Sequence, residues 1–264
     1  MKNVKSILFI LISVVAFTAI FSFPIYSKPK VEKSRFYSSH HNKLNDKTLE
    51  KVLQDLHISL DEKTLKRWKK LLNKALWHQD LLAFLGSRHH FDNCAFSEGI
   101  EQINQHFEAN EADYLKLQNT TNEKEKKQIR ERIIFRTGRL LHSTQDFFSH
   151  SNFVELMQEK HSKIEEVPLA DFWTKEGQKQ ILQLSRNDLV SEKFFLSFPH
   201  RCTQNNSQTQ NLSKDSPKKM AGKKITRWKN FQTNSNYTAF EAAMIFAEKS
   251  TYHILFQTLD IFLK

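Results

Sequence analysis

Apolar residues recur at helical spacing along most of the chain. Leucine and valine side chains within residues 49–56 follow that spacing, and Asn45-Asp46 just before them predicts a helix N-cap. A second stripe begins near Asp61 and runs to Leu76, with lysine and arginine on its opposite face. Such one-sided patterns are typical of helices that pack against a core.

The same pattern predicts helices over the rest of the chain, with one interruption. Residues 95–137 indicate two helices, the second leads into a long stretch at 138–155, and residues 237–263 indicate a final helix. Residues 203–235 are rich in Asn, Ser, Gln and Lys with little periodicity, which predicts a long surface loop. The pattern therefore predicts an all-α fold.

Composition favours one multi-helix domain over residues 28–264. The 264 residues include only 5 glycines and 5 prolines, but 22 phenylalanines. So few helix breakers argue against a β sandwich, and the chain is long enough for one sizeable core.

Residues 1–27 have the pattern of a signal peptide. Lys2 and Lys5 precede an apolar run over residues 7–23, as in the charged and apolar regions of an export signal. The protein is therefore predicted to be secreted or periplasmic. If the segment stays uncleaved, it would anchor the protein in a membrane.

The net charge of the chain indicates the kind of partner that it could bind. The formal net charge is +11, and it becomes 11 − 2 = +9 without residues 1–27. This excess favours an anionic partner such as phosphate, nucleic acid or a membrane surface, with a solvated basic surface as the alternative.

Cys94 and Cys202 could pair in an exported protein or could remain free thiols.

The stretch at residues 138–155 carries the most specific chemistry. His142, Asp146 and His150 recur at every fourth position, which places three metal-competent side chains on one helical face. A rise of about 1.5 Å per residue separates the two histidines by roughly 12 Å, so they cannot bind one ion. Asp146 lies midway with two carboxylate oxygens, which predicts two ions bridged by Asp146. The alternative is a row of hydrogen-bonded histidines without metal.

Other histidines and aspartates could complete such a site. They are His41, Asp80, His90 and Asp92. Imidazole and carboxylate together suit zinc and similar divalent ions. A zinc site with an open position activates water for hydrolysis, and clustered cations neutralise a phosphodiester. The sequence has no glycine-rich phosphate loop, nucleophile elbow or Cys-x-x-Cys pair that would indicate another chemistry.

Residues 138–155, with the sequence GRLLHSTQDFFSHSNFVE, resemble the motif of HET-C-type proteins. That group is similar in turn to the zinc-dependent phospholipases C and the zinc-dependent single-strand nucleases. The resemblance implies an all-helical domain of the zinc-dependent phospholipase C type with one to three zinc ions. It extends in order through several short segments, which are His41 to Leu49, Gln79-Asp80, His90-Phe91-Asp92, Asn211 to Ser216 and Glu241-Ala242-Ala243.

The resemblance also implies roles for individual residues. One zinc ion would be held by Asp80, His90, His142 and Asp146. Asp146 would bridge to a neighbouring ion near His41, and His150 would bind another ion. Asp80 and Asp146 would be the catalytic carboxylates.

Departures from the phospholipases C favour fewer ions. No tryptophan follows the predicted cleavage region, where those enzymes use a terminal tryptophan as a ligand. Asn152 stands six residues after Asp146, where they have a histidine. Near the end of the chain, Glu241 and His253 stand in place of their His-x-x-x-Glu pair. One zinc site is therefore complete in the sequence, and the others lack expected ligands.

These patterns predict an exported zinc-dependent phospholipase C-like hydrolase that cleaves phosphodiesters of phospholipids through metal-activated water. The predicted partners are a phospholipid or other phosphodiester and a membrane surface. The first alternative is a HET-C-like binding or structural protein that keeps some ligands without turnover. The second is a secreted nuclease, which would act on single-stranded nucleic acid with aromatic side chains that stack bases.

Overall fold

The computed structural model of the chain describes residues 38–82, 86–194, 196–203, 211–230 and 232–262. The predicted signal peptide at residues 1–27 lies outside these ranges. Within them, no helix combines the length and the apolar character that crossing a bilayer requires.

Most of the described residues lie in eight α-helices, which confirms the predicted all-α class. Two antiparallel strands form a small hairpin beside them. In chain order the elements are α1 (Ser38–Asp55), α2 (Glu62–Leu82), α3 (Phe96–Asn119), α4 (Glu123–His150), α5 (Phe153–Lys160), α6 (Lys175–Asn187), α7 (Met220–Lys223), β1 (Ile225–Asn230), β2 (Ser235–Thr238) and α8 (Ala239–Phe262).

Helix α4 lies at the centre of the fold. Asn122 caps its start, because its side chain accepts hydrogen bonds from the backbone N–H groups of Lys124 and Glu125. The first half of α4 is charged and largely exposed, whereas every residue from Leu140 to His150 is buried. Helices α2, α3 and α8 pack around it. The polar side chains of this buried half must therefore find their partners inside the protein.

Gly138 sets the spacing between α2 and α4. A Cβ atom at this position would lie 2.7 Å from the Cβ atom of Ala75 and 2.9 Å from the carbonyl oxygen of Leu72. Only glycine allows the two helices to approach this closely. One turn further along α4, His142 faces Asp80 in the last turn of α2. The close approach therefore positions two candidate ligands.

An aromatic cluster fills the core on another side of α4. Phe147 packs with ring centroids 5.1–6.1 Å from those of Phe91, Phe96, Phe148, Phe153 and Phe172. All six rings are buried. These phenylalanines are thus core residues, and mixed edge-to-face packing of this kind stabilises them beyond the burial of their area.

The start of the first helix differs from the prediction. Helix α1 begins at Ser38, so Asn45 lies inside the helix and does not act as its N-cap. Asn45 is fully buried, and its side-chain oxygen accepts a hydrogen bond from Gln145 on α4 at 2.8 Å. The predicted start of α2 is confirmed, since Asp61 accepts a hydrogen bond from the backbone N–H of Thr64 at 2.9 Å.

The stretch 203–235 also differs from the predicted surface loop. Residues 212–216 are buried, and residues 225–230 form β1, which pairs with β2. Both pieces are too short to produce a helical period, so the sequence pattern did not indicate them. The structure also joins Cys94 to Cys202 in a disulfide bond across 108 residues of sequence, which decides between pairing and free thiols.

Candidate metal centre

Four predicted ligands meet at the middle of the buried half of α4. His142 Nε2 lies 3.3 Å from Asp80 Oδ1, 3.1 Å from Asp146 Oδ2 and 3.3 Å from His90 Nδ1. His90 Nδ1 lies 2.7 Å from Asp146 Oδ2. Asp80 comes from the end of α2, and His90 follows a 3₁₀ turn at Ser87–His89. Three separate segments of the chain thus deliver these side chains to one point.

His41 reaches the same aspartate from α1. Its Nε2 lies 3.5 Å from Asp146 Oδ1, whereas His90 and His142 face Oδ2. Its Nδ1 donates a hydrogen bond to Gln145 Oε1 at 2.5 Å, which holds the ring with Nε2 toward Asp146. Asp146 therefore presents a different oxygen on each side, as a carboxylate that bridges two ions would.

These five residues, which we call the ligand cluster, form two overlapping groups that could hold a metal ion. One group is His41, His142 and Asp146, and the other is Asp80, His90 and His142. Within each group the ligand atoms lie within 4.8 Å of one another. The side chain of Asp80 is 22% exposed, whereas those of the other four are 3% exposed or less.

The donor set of the ligand cluster fits a divalent cation. It offers imidazole nitrogens and carboxylate oxygens, the ligands that such ions take in proteins. His90 Nε2 and His142 Nδ1 are buried, and neither has a hydrogen-bond partner among the described residues. A buried polar atom left in that state costs about 1–3 kcal/mol. Contacts within the described chain therefore do not fully satisfy this cluster.

Burial and charge act in opposite directions on the groups of the ligand cluster. Burial, together with His142, lowers the pKa of His41 to about 4. Burial alone would also lower the pKa of His142, but Asp146 and Asp80 outweigh it and raise that pKa to about 10. Burial would raise the pKa of Asp146, but His142 and His150 hold it well below its usual range. The protonated His142 ring therefore balances the carboxylates, and a bound cation would displace its proton.

Gln79 connects the two segments that carry Asp80 and His90. Its Nε2 donates to His89 Nδ1 at 2.8 Å, and its Oε1 accepts from Arg139 Nε at 2.8 Å. Burial, followed by the charge of His90, lowers the pKa of His89 to about 3, so the His89 ring is a neutral acceptor. The neighbours of both ligands are thus held in place, as second-shell partners of metal sites usually are.

The structure places His150 outside the ligand cluster. Its Nδ1 donates to Asp92 Oδ1 at 2.8 Å, and its Nε2 donates to Asp215 Oδ1 at 2.9 Å. Burial alone would lower the pKa of His150, but Asp215 and Asp92 raise it well above its ordinary value. Both ring nitrogens are bonded to carboxylates and His150 joins neither group of ligand atoms, so its predicted ligand role stays a prediction. We call Asp92, His150 and Asp215 the closed cluster.

A buried segment fastens Asp215 to the end of α4. The backbone N–H of Lys214 donates to the carbonyl oxygen of Ser149 at 2.7 Å, and Lys214 Nζ donates to that of Ser151 at 2.6 Å. Lys219 Nζ donates to Asp215 Oδ2 at 3.1 Å. The carboxylate that neutralises His150 therefore has a fixed position and a second cationic partner.

The candidates on the last helix lie away from the ligand cluster. Glu241 accepts a hydrogen bond from the backbone N–H of Thr238 at 2.7 Å and so caps the start of α8. His253 Nε2 lies 3.4 Å from Asp171 Oδ1. Neither joins a group of ligand atoms among the described residues.

Sequence reasoning missed three residues that position these clusters. They are Gln79, Gln145 and Asp215. Gln145 also donates to Thr251 Oγ1 at 2.8 Å, and its polar side chain beside Asp146 on a core-facing stretch was a signal for this role. Asp215 lies in the segment Asn211 to Ser216 that carries part of the resemblance, but nothing in the sequence pairs it with His150, 65 residues away.

Comparisons of the chain with protein-family models, curated proteins and solved structures found no match. The resemblance to HET-C-type proteins therefore stays a prediction that depends on the sequence motifs. The functional argument depends on the geometry of the ligand cluster.

Proposed function

We propose that the protein is an exported zinc-dependent phosphodiester hydrolase of the phospholipase C type that acts on phospholipids. The observation that carries this proposal is the spacing of four ligand atoms, from Asp80, His90, His142 and Asp146. Tetrahedral zinc with bonds of about 2.0–2.1 Å requires neighbouring ligand atoms to lie about 3.3 Å apart. Among the six pairwise separations, three are 3.1–3.3 Å, and another, the hydrogen bond between His90 and Asp146, is 2.7 Å.

The group around His41 supports a second ion next to the first. Asp146 Oδ1 faces His41 Nε2 at 3.5 Å, while Oδ2 belongs to the four-atom group. The proposal therefore includes one ion at Asp80, His90, His142 and Asp146 and a second that Asp146 would share with His41. It includes no ion at His150, which lies outside both groups of ligand atoms.

A zinc ion bound here would supply activated water and positive charge for the phosphodiester oxygens. The exposure of the ligand side chains indicates the side from which water and substrate would reach the centre. Asp80 is the one ligand with substantial exposure, 22%, so the centre opens to solvent on its side. Asp80 is therefore placed to contact the reacting water, and Asp146 acts by holding His41, His90 and His142 around it.

The disulfide between Cys94 and Cys202 supports the export part of the proposal. Disulfides persist in secreted and periplasmic proteins and are rare in the reducing cytosol. This agrees with the signal peptide predicted at residues 1–27.

The closed cluster favours one second candidate function. Because His150 is hydrogen-bonded to Asp92 and Asp215, the proposed centre holds at most two ions. That is fewer than the three ions that the resemblance to the phospholipases C allows. A HET-C-like protein that binds metal and a membrane or protein partner, without turnover, would have this reduced set of ligands.

Metal content by mass spectrometry on the purified protein tests the proposal. We expect bound zinc in the wild type and its loss in the double variant His142→Ala with Asp146→Ala. The matched control is His253→Ala with Asp171→Ala, a histidine–aspartate pair outside the centre. Hydrolysis of phosphatidylcholine and of single-stranded nucleic acid would then be measured for all three proteins.

The outcomes separate the candidate functions. Zinc-dependent release of a phosphorylated head group supports the phospholipase. Zinc without turnover of either substrate supports the binding protein, and cleavage of nucleic acid alone indicates a nuclease. If the wild type binds no zinc after refolding with excess metal, all the candidate functions that depend on metal are contradicted.

A further inference from the structure

The two most exposed large apolar side chains of the described residues lie five positions apart in the chain. Met220, at the start of α7, is 71% exposed, and Ile225, at the start of β1, is 65% exposed. Single exposed apolar residues are common, but neighbouring ones indicate a contact surface. The segment from α7 to the start of β1 therefore has two large apolar side chains that the described fold does not cover.

The same region is strongly basic. Between Asp215 and Glu241 the sequence has six lysine and arginine residues and no aspartate or glutamate. Five of the six are exposed, and no ion pair of theirs with another described residue is found, namely Lys218, Lys223, Lys224, Arg227 and Lys229. The sixth, Lys219, pairs with Asp215. These five charges are therefore directed at solvent or at an anionic partner.

Strand β1 holds this region in a fixed orientation. Its residues alternate, so Ile225, Arg227 and Lys229 are exposed while Thr226 and Trp228 are buried. Trp228 Nε1 donates to the carbonyl oxygen of His161 at 2.9 Å, and its ring centroid lies 5.8 Å from that of Phe246 in the core. The side chains of Ile225, Arg227 and Lys229 are thus presented on one face by a strand that the core anchors, next in the chain to the exposed residues of α7.

The chemistry of this face distinguishes between two anionic partners. Single-stranded nucleic acid is bound through exposed aromatic side chains that stack on bases. The one aromatic residue of segment 217–230, Trp228, is fully buried. A bilayer surface instead requires cations for its phosphate groups and apolar side chains that enter the layer below them. The exposed residues of this face match the second requirement.

We propose that this basic hairpin surface, the five cations with Met220 and Ile225, binds bilayers that contain anionic phospholipids. The cations contact the lipid phosphates, and Met220 and Ile225 enter the boundary of the apolar layer. This inference goes beyond the proposed hydrolase, because the surface uses none of the metal ligands and binds whether or not the centre holds metal.

Sedimentation of the full chain with vesicles tests the proposal. Vesicles of phosphatidylcholine with added phosphatidylglycerol are compared with pure phosphatidylcholine vesicles, which report any binding by the apolar residues 7–23 alone. Replacing the five cations by glutamine should lower the partition coefficient on the anionic vesicles by about three orders of magnitude, since each cation near such a surface contributes on the order of fivefold. Met220→Ser with Ile225→Ser should lower it roughly tenfold.

Matched control variants keep the test specific. The charge control replaces five other exposed lysines by glutamine, namely Lys63, Lys66, Lys70, Lys74 and Lys127. The apolar control is Leu115→Ser with Trp77→Ser, whose side chains are 58% and 59% exposed. Circular dichroism and thermal unfolding of every variant identify any that has lost its fold.

Retained binding in both controls, with loss in both hairpin variants, is the expected result. Three outcomes would overturn the proposal. The first is equal binding of the wild type to neutral and anionic vesicles, and the second is equal loss in the control variants. The third is a folded five-glutamine variant that binds vesicles like the wild type but has lost affinity for single-stranded DNA, which would identify a nucleic-acid surface instead.

Discussion

Helix α4 carries two clusters of histidine and aspartate about one turn apart, and they differ in what satisfies their polar atoms. In the ligand cluster, His142 faces two carboxylates and a second imidazole within 3.3 Å, and two ring nitrogens of the cluster have no hydrogen-bond partner among the described residues. In the closed cluster, His150 donates both N–H groups to carboxylates at 2.8 and 2.9 Å. Histidine and aspartate side chains therefore form a group that could accept a cation in the ligand cluster. In the closed cluster the same types of side chain form a complete set of ion pairs.

The difference comes from the partners that other segments bring to α4. Helices α1 and α2 and the turn after His89 bring imidazoles and one carboxylate to Asp146, which concentrates lone pairs at one point. The turn at Asp92 and the buried segment at Asp215 bring two carboxylates to one imidazole, one at each nitrogen. The three side chains on one face of α4 thus have different surroundings, because His142 and Asp146 lie among closely spaced imidazole and carboxylate groups whereas His150 lies between two carboxylates.

The largest expected difference between the clusters is in metal content. Asp146→Ala should abolish zinc binding, because its carboxylate would contact both proposed ions, and His41→Ala should remove only the second ion. His150→Gln should retain the wild-type zinc content. Mass spectrometry of the purified variants measures all three, and loss of zinc in a folded His150→Gln protein would contradict the division into two clusters.

The second prediction concerns stability in the metal-free protein. His150→Gln leaves two buried carboxylates without their shared cation, which should lower the free energy of unfolding by about 3–5 kcal/mol. The control is His106→Gln, since His106 is also buried but contacts the neutral Gln102 and should cost about 1 kcal/mol. Urea denaturation measures both values. Equal costs at the two positions would show that the ion pairs of His150 add nothing.

The third prediction concerns the disulfide, which follows the Asp92 turn in the chain. Replacing Cys94 and Cys202 by serine removes a link across 108 residues and should lower the free energy of unfolding by about 2–4 kcal/mol. The zinc content should remain unchanged, because none of the ligand cluster contacts this bond. A loss of zinc in the folded variant would show that the geometry of the ligand cluster depends on the disulfide bond.

The smallest predicted effect is the pH dependence of the closed cluster. The pKa of His150 is raised in the folded protein above its ordinary value of 6.5, mainly by Asp215 and Asp92 against the effect of burial. Its stabilisation is therefore complete below about pH 6.5 and is lost as the pH rises toward the folded-state pKa. The difference in unfolding free energy between wild type and His150→Gln should fall by about 1.4 kcal/mol per pH unit in that range. Urea titrations at a series of pH values measure this slope, and a difference that increases with pH would show that the ring is neutral.

Much of the fold and part of the candidate site followed from local pattern. Helical spacing predicted the all-α class, the start of α2 at Asp61 and the final helix, because periodicity needs only the buried face of each helix. It failed where a polar residue serves a distant partner. Asn45 looks like an N-cap in sequence, yet it lies buried inside α1 and bonds to Gln145. Strand β1 was missed because six residues give too short a period beside so many lysines.

The sequence by itself determined that His142, Asp146 and His150 lie on one face of a helix, since that follows from spacing alone. The close approach of α2 to α4 at Gly138 was visible only in the structure. Only the tertiary structure decided which of these side chains share a group of closely spaced ligand atoms. The reason is that the charges around each histidine come from distant segments, which bring Asp80 to His142 and bring Asp92 and Asp215 to His150 only in the folded chain.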